Sequence, residues 1–271
     1  MIATETIPYA LDRLVDESDY AVVGPTDGRT RVSRTDRFPH SAVCHIERDF
    51  GDGRLTGCTA FLISPTRLLT AAHCIMSALR GSLGLPATVA RIRVTPGRAS
   101  ATVRPFGSQW ASRWVANPAY VRRPSPLHDV AIIDLPRPFS PDPGVFQLWS
   151  PNRADLERMR GSRLIHVSGY PADKPAGTQW EHAERLDRIT ERQLLYSVDT
   201  CPGHSGSPVW LLRTRGGAPA VIAVHTAGPT PHAGGPWGCR PGVPLAPAGL
   251  FNRGVRLLPP LVQAIHRGFA P

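Results

Sequence analysis

Proline and glycine interrupt this chain between nearly all of its apolar runs, and that punctuation restricts the fold more than any other feature. The 29 prolines and 25 glycines make up about a fifth of the 271 residues, with no collagen period and no low-complexity tract. Proline breaks helix interiors and both residues favour turns, so a bundle of long helices is excluded. What remains between the breaks reads as short strands at 41–47, 59–63, 68–72, 89–95, 130–135, 164–168, 194–198, 209–212 and 221–225. Many short strands without intervening helices predict antiparallel barrels or sandwiches rather than a parallel βαβ sheet. The Pro-rich stretch 136–151 divides the strands into two comparable halves, so the expectation is an all-β chain in two lobes. Leu261, Ile265 and Phe269 stand four apart behind Pro259-Pro260, which predicts a closing helix over residues 257–269.

Hydrophobic residues at 41% and charged residues at 19% exclude a disordered, charge-rich tail. The net charge is +10, from 31 basic and 21 acidic residues, and Lys174 is the sole lysine. The arginines are scattered singly, which reads as a solvated basic surface, so no nucleic-acid partner is expected. The charge is also uneven. Residues 1–20 carry Glu5, Asp12, Asp16, Glu17 and Asp19 against the single Arg13, whereas residues 206–271 hold six arginines and no acid. Residues 1–21 are read as an acidic leader segment, and the second lobe as presenting a positive field to an acidic substrate. No stretch approaches the roughly 18 apolar residues that span a bilayer, so no membrane partner is expected. The N-terminus lacks the basic-then-apolar pattern of a secretory signal.

The five cysteines are Cys44, Cys58, Cys74, Cys201 and Cys239. They lack the C-x-x-C spacing of a zinc site, and their odd number leaves at least one thiol outside any intrachain disulfide. H-E-x-x-H and Walker-type glycine runs are absent as well. No metal and no other cofactor is expected.

Three segments carry the chemistry. Thr70-Ala71-Ala72-His73-Cys74 ends an apolar strand on a histidine. His128-Asp129-Val130-Ala131-Ile132-Ile133 leads an aspartate into a buried strand. Cys201-Pro202-Gly203-His204-Ser205-Gly206-Ser207-Pro208 sets a serine on a glycine-bounded turn. Taken singly, the histidine reads as a packed residue, the aspartate as a strand-end cap and the serine as part of a loop. Together they are the parts of a serine nucleophile. A serine hydroxyl needs an imidazole to take its proton, and the imidazole needs a carboxylate to fix its tautomer. Glycines beside Ser205 let the backbone N–H groups of Gly203 and Ser205 aim at a developing oxyanion. The α/β-hydrolase alternative requires the order Ser, acid, His; no Asp or Glu follows Ser205, so it is excluded.

TAAHC, HDVAII and GHSGSP resemble the catalytic motifs of the chymotrypsin-like serine proteases. VVGPTDGRTRV, HSAVCHI, VSGYPADKPAGTQW, YSVDTCPGHSGSPVW and FNRGV further resemble the bacterial glutamyl endopeptidase branch, over about residues 22–260. The resemblance implies two antiparallel six-stranded β-barrels, at about 38–135 and 150–255, followed by the C-terminal helix. It implies a serine endopeptidase in which His73 is the general base, Asp129 its orienter and Ser205 the nucleophile, with Gly203 and Ser205 forming the oxyanion hole. It also implies disulfides Cys58–Cys74 and Cys201–Cys239, which leave Cys44 over. A secreted or periplasmic zymogen, acting as a monomer on protein or peptide substrates, is the corresponding expectation.

Specificity rests on residues around the cleft. His225 resembles the histidine with which glutamyl endopeptidases bind a substrate carboxylate, and Thr200 the pocket hydroxyl that assists it. A nearby carboxylate favours the charged imidazolium. Asp199 competes with that reading, because trypsin-like enzymes place an aspartate six residues before the nucleophile to bind Arg or Lys. Two further departures bear on function. The residue before the nucleophile is His204 rather than the aspartate that binds a newly formed terminal amine in chymotrypsin-like zymogens, so the resemblance instead places a new N-terminus near Val22 or Val23. A different class of function, a catalytically silent protease fold that binds anionic partners through its arginines, is opposed by the intact His, Asp and Ser.

Overall fold

A computed structural model describes residues 21–214, 216–229 and 237–269. The leader expected at residues 1–21 lies outside them except for Ala21. The described strands are β1 (Thr30–Arg31), β2 (Val43–Asp49), β3 (Thr56–Ser64), β4 (Arg67–Thr70), β5 (Arg91–Pro96), β6 (Gln109–Trp110), β7 (Arg113–Ala116), β8 (Ala131–Asp134), β9 (Gln147–Leu148), β10 (Leu164–Gly169), β11 (Trp180–Ile189), β12 (Gln193–Tyr196), β13 (Pro208–Leu212), β14 (Pro219–Ala227) and β15 (Asn252–Arg256). They fall into two sheets: β2–β8 form one, and β9–β15 form the other together with β1, which comes from the start of the described chain.

The second lobe is a closed barrel. Its strands run β11-β10-β13-β14-β15-β12, and β12 pairs back onto β11 to complete six strands. β1 adds to β11 from outside, and β9 runs parallel to β14. The first lobe differs from the expected closed barrel. Its order is β6-β5-β2-β3-β4-β8-β7, and no ladder joins the two edge strands β6 and β7. The chain itself bridges that seam through Ala111 and Ser112, whose N–H groups donate to the carbonyls of Ile92 and Asp134, both at 2.9 Å. The result is a curled half-barrel.

The apolar runs β3, β4 and β8 supply the centre of the first lobe, where Phe61, Leu62, Leu68, Leu69, Ile132 and Ile133 are almost wholly buried. That core continues through Tyr170, Trp210, Val221 and Val255 of the second lobe to Ile265 and Phe269. The two lobes therefore share one apolar interface, which fixes the cleft between them. The closing helix spans Pro259–His266, shorter than predicted, with its two prolines at the first helical positions, where no N–H bond is lost. A helix at Arg153–Arg160 was not anticipated, although Asn152 and Asp155 form a capping box at its start.

Candidate active site

His73 and Asp129 meet through strand register. β4 and β8 run antiparallel with Thr70 opposite Ala131, so continuing the register two residues brings position 72 opposite Asp129. His73 follows, in the short 3-10 turn Ala72–Cys74. Its backbone N–H donates to Asp129 Oδ1 at 2.9 Å, and its Nδ1 lies 2.6 Å from Asp129 Oδ2. A carboxylate only accepts, so Nδ1 carries the ring proton and Nε2 is left as the acceptor. That Nε2 lies 2.8 Å from Ser205 Oγ. Buried Arg48 holds the turn from the other side, donating from Nη1 to the His73 carbonyl at 2.9 Å. His73, Asp129 and Ser205 are all buried, which strengthens each of these interactions relative to water.

The turn that carries Ser205 cannot be built from other residues. Gly203 and Gly206 have φ of +100° and +83°, in the left-handed region. A Cβ on Gly203 would stand 2.3 Å from the Tyr170 carbonyl, and one on Gly206 would stand 2.2 Å from the carbonyl of Thr59. The two peptide planes that carry the Gly203 and Ser205 N–H groups are pinned. The Pro202 carbonyl accepts the Ala172 N–H at 2.7 Å, and the His204 carbonyl accepts the Ser207 N–H at 2.9 Å. A trans peptide directs its N–H opposite to its C=O, so the N–H groups of Gly203 and Ser205 turn away from those partners.

His204 is fully buried, and its Nδ1 lies 3.1 Å from the Cys201 N–H, which donates to it. Burial pushes this imidazole well below its usual pKa, with the charge of Arg29 adding to the effect. An imidazole is neutral or positive, so His204 cannot pair with a terminal amine as an aspartate would.

The specificity residues take different places. Thr200 is buried, and its hydroxyl has no hydrogen-bond partner among the described residues. His225 lies on β14 beside the nucleophile turn, accepting the Gly206 N–H at 2.8 Å and donating its own N–H to the Ser207 carbonyl at 2.9 Å. Its ring is fully buried, and its Nδ1 is 2.7 Å from the hydroxyl of Tyr196. Burial, with His73 adding to it, pushes His225 down to about 3, so the ring is neutral in the free protein. Asp199 does not offer its carboxylate to the cleft. Oδ1 accepts the Val23 N–H and Oδ2 the Gly28 N–H, each at 2.7 Å, with His182 Nδ1 3.3 Å away. It staples the first described segment to the barrel.

The cysteines also divide. Cys201 and Cys239 are joined, which ties the residue after Thr200 to the loop at Gly238. The second expected bridge is corrected: Cys58 and Cys74 are both buried free thiols, like Cys44. The two thiols are hydrogen-bonded to each other without being joined, and the Cys74 thiol also reaches the Ser205 carbonyl at 3.6 Å; burial raises its pKa well above the usual thiol value. Tyr196, Arg48 and Thr59 are the site residues that sequence reasoning missed. Each acts on a partner at least 25 residues away in sequence; Tyr196 opens the segment YSVDTCPGHSGSPVW, but nothing in that segment names His225 as its partner.

The model of the trypsin family matches residues 28–243, which include all three catalytic motifs. The chain belongs to the trypsin family. Within that family, it is 36% identical over 211 residues to a glutamyl endopeptidase of Bacillus licheniformis, covering 77% of this chain and 61% of the relative. It is 26% identical over 211 residues to a glutamyl endopeptidase of Staphylococcus epidermidis, covering 77% and 67%. An extracellular metalloprotease of Bacillus subtilis matches at 29% over 209 residues, 77% of this chain and 63% of that one. This trypsin-family chain thus spans less than two thirds of the first and third of these relatives. The solved structure of a Glu endopeptidase in complex with MPD superposes with a TM-score of 0.70 at 23% identity, covering 92% of this chain and 100% of the other. That likeness establishes the fold. The relatives' names differ in class, so the mechanism has to be argued from the side chains themselves.

Proposed function

We propose that this trypsin-family chain is a serine endopeptidase that cleaves after Glu or Asp. The observation that carries the reading is the unbroken line Asp129–His73–Ser205, with links of 2.6 and 2.8 Å. Ser205 Oγ attacks the scissile carbonyl while His73 Nε2 takes its proton, and Asp129 steadies the imidazolium that forms. The N–H groups of Gly203 and Ser205 receive the oxyanion. Collapse of the tetrahedral intermediate releases the amine, protonated by His73, and leaves an acyl-enzyme on Ser205. Water, activated by the same imidazole, then frees the acid product.

Three observations support an acidic rather than a basic preference. Both oxygens of Asp199 are engaged by backbone N–H groups, so the group that would bind Arg or Lys serves another purpose. Thr200 keeps a buried hydroxyl without a partner among the described residues, a group that a substrate carboxylate would satisfy. His225 is adjacent to the nucleophile turn, and two of the relatives named above are glutamyl endopeptidases. Secretion fits the extracellular Bacillus subtilis relative, and no helix among the described residues is long and apolar enough to cross a membrane. Protein or peptide substrates follow from the same chemistry.

A serine-directed fluorophosphonate tests the catalytic claim. Stoichiometric labelling at Ser205, abolished in Ser205→Ala, is expected. Absence of labelling in the folded chain after any leader is removed would instead favour a silent protease fold that binds anionic partners.

A further inference from the structure

We propose that Tyr196 is a positioning residue for acid recognition, whose hydroxyl donates to Nδ1 of His225 and so keeps the ring proton on Nε2. The inference rests on the reading of His225 as the group that meets the substrate carboxylate. Its structural basis lies in three adjacent strands. Tyr196 ends β12 opposite Asn252 of β15, and Gly254 of β15 stands opposite His225 of β14. The phenol therefore reaches its target across the middle strand, at the one residue there with no side chain. A Cβ on Gly254 would stand 3.1 Å from the Tyr196 hydroxyl and 2.8 Å from the Val224 carbonyl. The hydroxyl lies 2.7 Å from His225 Nδ1, and both residues are fully buried.

The direction of that hydrogen bond follows from what else the phenol can reach. His225 is its hydrogen-bond partner among the described residues, and a buried O–H left without an acceptor is costly. The phenol therefore donates, Nδ1 accepts, and the proton of the neutral ring resides on Nε2. Of the groups around the ring, His73 opposes its protonation, and a backbone hydrogen bond with Arg253 of β15 favours it; burial is the largest influence and keeps the ring neutral. A neutral His225 then presents Nε2–H as a donor to a carboxylate. If the ring gains a second proton when a carboxylate arrives, the same hydroxyl rotates to accept from Nδ1–H. A phenylalanine could do neither.

The test uses the full chain carrying Ser205→Ala against self-cleavage and 15N-labelled histidine. Long-range proton–nitrogen correlation reads the two ring nitrogens of His225. A bare Nδ1 and a protonated Nε2 are expected in the free protein, and the opposite tautomer overturns the proposal. In the active enzyme, Tyr196→Phe should lower kcat/KM for a Glu peptide about tenfold more than for the matched Gln peptide. An equal loss on both would mean that Tyr196 only packs, and would overturn it. His225→Gln separates this proposal from the reading beneath it. If that variant keeps the preference for Glu over Gln, both fail; if it loses the preference while Tyr196→Phe retains it, only the role of Tyr196 fails. Should Tyr196→Phe not fold, the tautomer measurement still decides.

Discussion

The backbone N–H of Thr59, on strand β3 of the first lobe, donates to the carbonyl of Ser205 at 2.9 Å. The nucleophile is thus held from the opposite lobe as well as by its own turn. The Thr59 side chain repeats the link, donating from Oγ1 to the Gly203 carbonyl at 2.7 Å and accepting the Tyr170 N–H at 3.0 Å. Thr70, three residues before the catalytic histidine, donates to the Thr59 carbonyl at 2.7 Å. One residue therefore ties the strand that leads to the base to the turn that carries the nucleophile.

Replacing Thr59 with Val preserves the shape and removes both hydroxyl bonds, leaving a buried carbonyl and a buried N–H without partners. Each orphan costs about 1–3 kcal/mol. Urea unfolding should show a loss of about 2–4 kcal/mol, and kcat should fall at least about tenfold as the turn loses its register. Wild-type values of both would mean that the cross-lobe link is incidental.

Asp199→Asn tests the staple. An amide can accept one of the N–H groups from Val23 and Gly28, but its own NH2 then faces the other, a donor against a donor. Hydrogen exchange should quicken at residues 21–28, and KM for a Glu peptide should rise. If Asp199 instead read a basic side chain, the native enzyme would cleave after Arg, the variant would lose that cleavage, and exchange would not change.

Acid should weaken the fold in two stages. His45 and His225 are held at about 4 and about 3, and His204 also well below normal, burial being the first cause in each. Below about pH 6.5 the unfolded chain binds a proton at each site while the folded chain does not. The stability these rings contribute is whole above that pH and is lost as pH falls, by about 1.4 kcal/mol per unit for each. Below about pH 4.5 Glu181 adds to the loss. Its burial alone would raise its pKa, but hydrogen bonds from His166, His40 and Ser168 hold it at about 2. Urea unfolding at a series of pH values should therefore show a fall that begins near pH 6.5; a flat profile down to pH 5 would contradict the buried neutral histidines.

The leader, if removed, should end at Tyr20. Ala21 is fully buried: its N–H donates to Asn252 Oδ1 at 3.0 Å, and its carbonyl accepts from Asn252 Nδ2 at 2.8 Å and from the Thr200 N–H at 3.0 Å. Cutting at Val22 or Val23, as the sequence alone indicates, would discard these bonds. N-terminal sequencing of active protein should return Ala21. Val23 would contradict the prediction, and Met1 or Ile2 would mean that no leader is removed.

The meeting of His73, Asp129 and Ser205 was legible because each sits in a short motif whose residue types have few other uses together. Most strands were legible for the same reason, as apolar runs between turn residues. β11 was not. Five of its ten residues are charged, and register with β10, from Leu164 opposite Arg185 to Gly169 opposite Trp180, makes it a strand. The role of Asp199 was equally hidden, since its partner Val23 is 176 residues away. His225 was found by resemblance, but its neutral state follows from burial, which no motif records. The two thiols at Cys58 and Cys74 mark the opposite case, where the family resemblance implied a bond that the structure does not contain.

Cleavage-site profiling on a mixed peptide library, with Ser205→Ala as the control, tests the central claim most directly. The account predicts strong enrichment of Glu and Asp immediately before the cut, absent from the control. Enrichment of Arg or Lys at that position would contradict it and return Asp199 to the substrate pocket.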